Sequence, residues 1–352
     1  MIEAHTLDAW TRAASRSSIA YRNATILGGF AAPLFLWLAG LAVVLSATRT
    51  AARTGNRTRA VEAICRRGLE IFILAFLFRL QAFIVTPGSH AVTIFRVDIL
   101  NVMGPAIVLA GIVWWLAGTT GALVAAYAAV AAITAMVTPV VRASPAVDLL
   151  PTWIQWYMRP AGEYTTFTLL PWIGFVFAGG AAGALIGAAR DEADERRLLV
   201  TLAGAGAALV AFGFAAASRP SIYRASYFWT SSPTWFAIRV GIMMMALGAI
   251  YAALNGRTTV SPAVDALARM GRSSLFIYWI HVELVYGYAS WFWWRRLPFW
   301  GTAAAWVAFT ALMYGALLLR DWLVAQNAIR YVTLATTARS TSAPVAESRR
   351  SL

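Results

Sequence analysis

Lysine is absent from this chain, so all 29 basic side chains are Arg, against 15 acidic residues. Charge of either sign is scarce: charged residues make up 12% of the 352, where a soluble domain of this size carries about 25%. Hydrophobic residues reach 60%, with a mean hydropathy of +0.66, which excludes an ordinary soluble domain. Cysteine occurs once, at Cys65, which excludes intramolecular disulfides and any Cys-based metal cage. The three His include no pair with ligand spacing on one helix face, so no metal site is expected. A Gly-x-Ser-x-Gly elbow is missing, which removes support for a Ser–His–Asp hydrolase. Alternating strands of about ten residues are also missing, which argues against an outer-membrane barrel. No internal repeat stands out, and no basic and short apolar leader precedes residue 10.

What is present is a series of apolar runs long enough to span a bilayer, roughly 20 residues each. They cover about 24–47, 69–85, 97–117, 121–141, 167–189, 198–217, 234–254, 273–294 and 301–319. The expected fold class is therefore all-α, a polytopic transmembrane bundle of about nine complete spans, with 1–10 reading as the truncated end of a first helix. The net charge of +14 sorts by loop and gives no case for nucleic-acid binding. Seventeen Arg, from Arg49 to Arg67, Arg190 to Arg197, Arg257 to Arg272 and Arg320 to Arg350, follow every second span; ten lie in the opposite loops. The positive-inside rule then places the 48–67 loop and the C-terminus in the cytoplasm. One membrane domain is expected over 1–331, followed by a Thr/Ser/Ala/Arg-rich, disordered cytoplasmic tail over 332–352.

Ionisable groups at membrane depth are costly and are candidates for function by default. Here they are Glu3, His5 and Asp8 near the start, Arg79, Asp98, Arg239, and the pair His281 and Glu283. His5 and Asp8 are three apart and share a helix face, so the carboxylate could orient the imidazole. His281 and Glu283 are two apart and point to nearly opposite sides, so each needs a partner on another helix. Arg79, Arg239 and Asp98 are available for that. The plain alternative is structural pairing, such as Arg79 with Asp98, but the whole set at intermediate depths implies a hydrated cavity. His90, in a short loop, reads as a surface histidine. Trp153, Trp156, Tyr157, Tyr223, Tyr227, Trp229 and Trp235 suit an interfacial aromatic belt, with a sugar-stacking platform as the alternative. Small-residue clusters such as Gly179-Gly180-Ala181-Ala182-Gly183 read as helix-packing devices.

Met1-Ile2-Glu3-Ala4-His5-Thr6-Leu7-Asp8 sets Met, His and Asp in a Met-x-x-x-His-x-x-Asp pattern, and Ala32–Gly40, Val97–Gly104, Pro171–Gly179 and Gly271–His281 are further distinctive segments. The first resembles the end of the first helix, and the others later helices, of bacterial relatives of heparan-α-glucosaminide N-acetyltransferase. The resemblance implies a multi-helix acyltransferase in the inner (cytoplasmic) membrane. It would take an acyl group, in the first place acetyl, from cytoplasmic acyl-CoA and pass it to a sugar hydroxyl or amine on the far side. The partners implied are the lipid bilayer, acyl-CoA and a glycan or sugar acceptor, with a homo-oligomer left open. His5, oriented by Asp8, would be base or transient acyl carrier, and His281 would face the thioester or relay protons. Glu3, Arg79, Asp98, Arg239 and Glu283 would hold substrate. The family's Asp-x-x-Arg-Gly half-helix is missing here, so Met1 is expected to be an internal methionine with that half-helix encoded upstream. Two other readings stay open: a proton-coupled transporter or flippase of a polar lipid or sugar using the same residues, and a non-catalytic relative.

Overall fold

A computed structural model describes the backbone of residues 1–256, 259 and 261–341, and side chains up to residue 326. Among the described residues there is no β-strand, and thirteen α-helices carry the fold. They are α1 (Ile2–Trp10), α2 (Ile19–Gly28), α3 (Ala31–Thr54), α4 (Arg57–Val85), α5 (Ile99–Leu116), α6 (Thr120–Ala143), α7 (Thr152–Met158), α8 (Trp172–Gly187), α9 (Glu192–Ala217), α10 (Pro233–Leu254), α11 (Pro262–Arg272), α12 (Ser274–Tyr286) and α13 (Phe299–Thr341). Seven stretches are long and apolar enough to cross a membrane, by length and composition. The chain is a multi-pass helical membrane protein.

The spans expected at 167–189 and 273–294 are present as shorter apolar helices, α8 and α12. Before α8, residues 165–170 are not helical; Thr165 bridges to Val97, and Arg142 donates to Thr168 and to the Leu170 carbonyl. Gly287 ends α12 with an extended backbone, and a short 3-10 segment, Tyr288–Trp293, follows. The run expected over 24–47 is also broken, at Gly29–Phe30 between α2 and α3. Pro33 supplies the reason, because it has no N–H for the carbonyl four residues back and its ring crowds that carbonyl.

Polar caps fix many of the starts. Ser18, Asn56, Thr119, Asp191 and Ser261 each accept a first-turn backbone N–H at the head of α2, α4, α6, α9 and α11. Asp98 opens α5 with a capping box, Asn101 accepting the Asp98 N–H in return. Gly55, at φ +64°, closes α3 in the left-handed conformation that glycine adopts without a Cβ penalty.

Glycine notches then set the pairing. α3 and α8 run parallel, with Gly179 against the Trp37 carbonyl and Gly183 against Leu41. α4 and α5 cross antiparallel where Gly68 meets Gly104, and α9 and α10 do so where Gly206 meets Gly241. Such contacts are available only where no Cβ intervenes. The main core lies among α3, α4, α5, α6, α8 and α10, around Trp37, Phe78, Tyr127, Phe175 and Phe177. A second cluster joins α1, α12 and α13 through Trp10, Ile277, Val285, Phe309 and Met313.

α13 continues past residue 331, where the tail is expected to begin. Residues 342–352, with Arg349 and Arg350, lie outside the described residues, as do Arg257 and the side chains of Arg330 and Arg339.

Candidate functional site

α1 is short, but it is held firmly at its far end. Thr11 bridges to Leu297 and donates to Thr302 at 3.1 Å, and the Trp10 indole reaches the Val285 carbonyl at 3.4 Å. These contacts lay α1 alongside α12 in the same direction. His5 then falls opposite His281, with ring centroids 5.3 Å apart and planes tilted by 49°.

Asp8 does not bond His5 among the described contacts; Tyr286 stands between them. The Tyr286 hydroxyl donates to Asp8 Oδ2 at 2.8 Å and lies 3.2 Å from His5 Nδ1. The other Asp8 oxygen faces Arg16 at 3.9 Å. His281 is wholly buried; its Nδ1 lies 2.7 Å from the Ile277 carbonyl, and its Nε2 has no partner. Its neighbour is thus His5, where the sequence points to Arg79, Arg239 or Asp98.

His5 and Asp8 line a cavity of about 640 Å³, together with Arg79, Asp98, Tyr278, Glu283 and Tyr286. Arg79 donates to the Thr93 carbonyl at 3.1 Å and approaches Asp98 at 3.9 Å, so the pair that the plain structural alternative names is present. Asp98 also caps α5, which fixes its carboxylate at the cavity wall. Glu283 is 8% exposed, and neither carboxylate oxygen has a protein partner. The partners expected on other helices therefore differ in outcome: His281 meets the His5 ring, and Glu283 has no hydrogen-bond partner among the described residues.

Two candidates lie elsewhere. Glu3 packs its carboxylate against Gly28 of α2 and is not in the cavity wall. Arg239, 6% exposed, donates to the Gly29 carbonyl at 2.5 Å, the carbonyl that Pro33 leaves without a helical donor, and its guanidinium sits over Phe30 and Trp235. Its polar contact therefore closes the α2–α3 break. Trp235, expected in the aromatic belt, is 4% exposed and packs against Trp172 and Phe175. Trp153, Tyr227 and Trp229 are exposed, as a belt requires, and so is His90.

A second cavity of about 650 Å³ runs beside the first and shares Met1 and Ala31 with it. Its walls are mostly apolar side chains of α3, α4 and α5, and Ser46, Thr50, Arg67 and Ser274 lie at the arginine-rich end. Among the described residues no group of three or more His, Cys, Asp or Glu is placed to hold a metal ion.

The sequence model of the family described as "Heparan-alpha-glucosaminide N-acetyltransferase, catalytic" matches residues 5–218. The chain belongs to that family. No curated protein matches it. The matched span begins at His5 and takes in Asp8, Arg79 and Asp98. Arg239, His281, Glu283 and Tyr286 lie beyond it, and what places His281, Glu283 and Tyr286 near His5 and Asp98 is the geometry above. Tyr286 is the residue that sequence reasoning missed. Its contact with Asp8 spans 278 positions, and nothing local to Val285-Tyr286-Gly287 marks it.

Proposed function

We propose that this membrane acetyltransferase-family protein moves an acyl group, in the first place acetyl, from acyl-CoA on the cytoplasmic side to a sugar hydroxyl or amine on the outer side. The observation that carries this reading is the meeting of the two cavities at Met1 and Ala31, beside His5. The apolar cavity suits the slender arm of an acyl-CoA, with Arg67 near its end for phosphate charge. The polar cavity suits the acceptor, with Arg79, Asp98 and Glu283 as hydrogen-bonding and charged groups. His5 is the only imidazole in its wall.

In the reaction the acceptor loses a proton to His5 as its oxygen or nitrogen attacks the thioester carbonyl. The C–S bond breaks as the new C–O or C–N bond forms, and the proton leaves with the CoA thiol. General-base help of this kind contributes about 10²–10⁴-fold. Arg79 and Arg96 are the cations in the cavity wall, and Arg79, which also approaches Asp98, is the candidate oxyanion stabiliser. His281, directly behind His5, is the candidate second relay.

The test is release of free thiol from acetyl-CoA by purified protein in proteoliposomes, across a panel of amino sugars and glycans. Acceptor-dependent release that His5→Ala lowers by at least about 10²-fold is expected. Release that His5→Ala leaves intact would remove His5 from the chemistry. Substrate-driven proton flux without thiol release would favour a transporter instead.

A further inference from the structure

At the candidate site the hydrogen bonds of His5, His281 and the Tyr286 phenol can be followed proton by proton. A tyrosine hydroxyl has one proton to donate and lone pairs to accept with. At Tyr286 that proton goes to Asp8 Oδ2 at 2.8 Å, because a carboxylate only accepts. The second Asp8 oxygen is turned the other way, toward Arg16 at 3.9 Å, so Oδ2 is the oxygen that meets the phenol. The 3.2 Å contact between the same hydroxyl and His5 Nδ1 must then run the other way, from an Nδ1–H to the phenol oxygen.

The packing supports this direction. The Tyr286 ring meets His5 edge-on, centroids 5.6 Å apart at 81°, and Tyr286 is the last residue of α12, just before Gly287. Because α1 and α12 run in the same direction, one helix pair delivers both contacts: His5 beside His281 and Asp8 beside Tyr286. His281 obeys the same logic by another route. Its Nδ1 faces the Ile277 carbonyl, which can only accept, so the proton sits on Nδ1 and the buried Nε2 is bare.

We propose that Tyr286 is a positioning residue for the transfer. Its hydroxyl donates a hydrogen bond to Asp8 and accepts one from His5 Nδ1–H, and so leaves His5 Nε2 as the unprotonated nitrogen. Asp8 acts on His5 only through this phenol. The inference rests on the acyl-transfer reading for its kinetic consequence but not for its proton placement. Nε2–H is the commoner form of a free histidine side chain, so the placement is a specific claim. It assigns the bare nitrogen, the one able to take the acceptor's proton, to the edge of the ring away from Tyr286.

The experiment is nitrogen-15 NMR of histidine-labelled full chain in proteoliposomes, where three His give few signals. Single replacements His90→Gln and His281→Gln assign them. In the unmodified protein both His5 and His281 are expected as Nδ1–H forms. In Tyr286→Phe, which keeps the ring and removes only the hydroxyl, His5 is expected to move toward Nε2–H while His281 stays. The same variant should lower kcat for thiol release on the order of 10²-fold, with both KM values within about twofold. A merely structural tyrosine would move neither the His5 form nor kcat in this pattern. An Nε2–H form of His5 in the unmodified protein overturns the proposal without any variant, and so does a His5 spectrum that Tyr286→Phe leaves unchanged. The spectra need no turnover, so an unmodified protein that releases no thiol fails the acyl-transfer reading while the proton placement is judged separately.

Discussion

A carboxylate that reaches an imidazole through a phenol behaves differently from one that touches it. If Asp8 bonded His5 directly, neutralising it would place the proton on the wrong nitrogen, an effect on the order of 10⁴-fold where such a bond exists. Through Tyr286 the demand is lighter, because Asp8→Asn still offers an oxygen to the tyrosine hydroxyl. Asp8→Asn is therefore expected to lose less than about tenfold in kcat, well short of the general-base contribution lost with His5→Ala. Steady-state kinetics of the two variants side by side check this, and equal losses would mean direct contact. The i, i+3 spacing of His5 and Asp8 shows that they share a face, and it carries no information about what stands between them. Arg239 teaches the same lesson from the other direction. As a cation in an apolar run it reads as a substrate group, yet its bond goes to the carbonyl freed by Pro33.

Helix contacts in this bundle are set at glycines. A Cβ on Gly179 would overlap the Trp37 carbonyl, which is backbone and cannot rotate away, whereas a Cβ at Gly315 of α13 meets nothing within 4 Å. Gly179→Ala is expected to cost about 1–3 kcal/mol through overpacking. Gly315→Ala should be neutral or gain up to about 1 kcal/mol from helix propensity. Thermal unfolding in detergent separates them, and equal effects would refute the notch at α3–α8. The packing role of the Gly179–Gly183 cluster is legible in the chain, because small residues inside an apolar run have few other uses. Its partner is not, since α8 pairs with α3 in parallel, far away in sequence. Interruptions are harder to read from composition. Hydropathy runs smoothly through Gly29–Phe30, so only the backbone chemistry of Pro33 marks the break, and Gly287 cuts the apolar run 273–294 into a 13-residue helix and a 3-10 turn.

For the whole molecule, orientation decides which cavity meets the donor. Cys65, the only cysteine, lies early in α4 beside Arg66 and Arg67, whose side chains are 84% and 55% exposed. This end of α4 is therefore a rim position with a natural reporter. A membrane-impermeant maleimide is expected to label Cys65 in inside-out vesicles and not in intact cells, placing the Arg67 end of the apolar cavity in the cytoplasm. Labelling of intact cells would invert the topology and with it the direction of transfer.

Composition and apolar run length by themselves determined a helical membrane protein, because a bilayer accepts few chain types and each leaves a strong compositional trace. The segments at His5 and Gly271–His281, with those between them, carried the resemblance to the family that the match over residues 5–218 shows, and the rarity of charge at membrane depth singled out the side chains worth following. Only the tertiary structure decided which of them meet. Local spacing constrains one helix face, whereas the His5–Tyr286–Asp8 chain, the His5–His281 contact and the Arg239–Gly29 bond each join helices that lie far apart in the sequence. The physical reason is that helix pairing here turns on where a missing Cβ lets two backbones close, a property of two surfaces together and of neither segment alone.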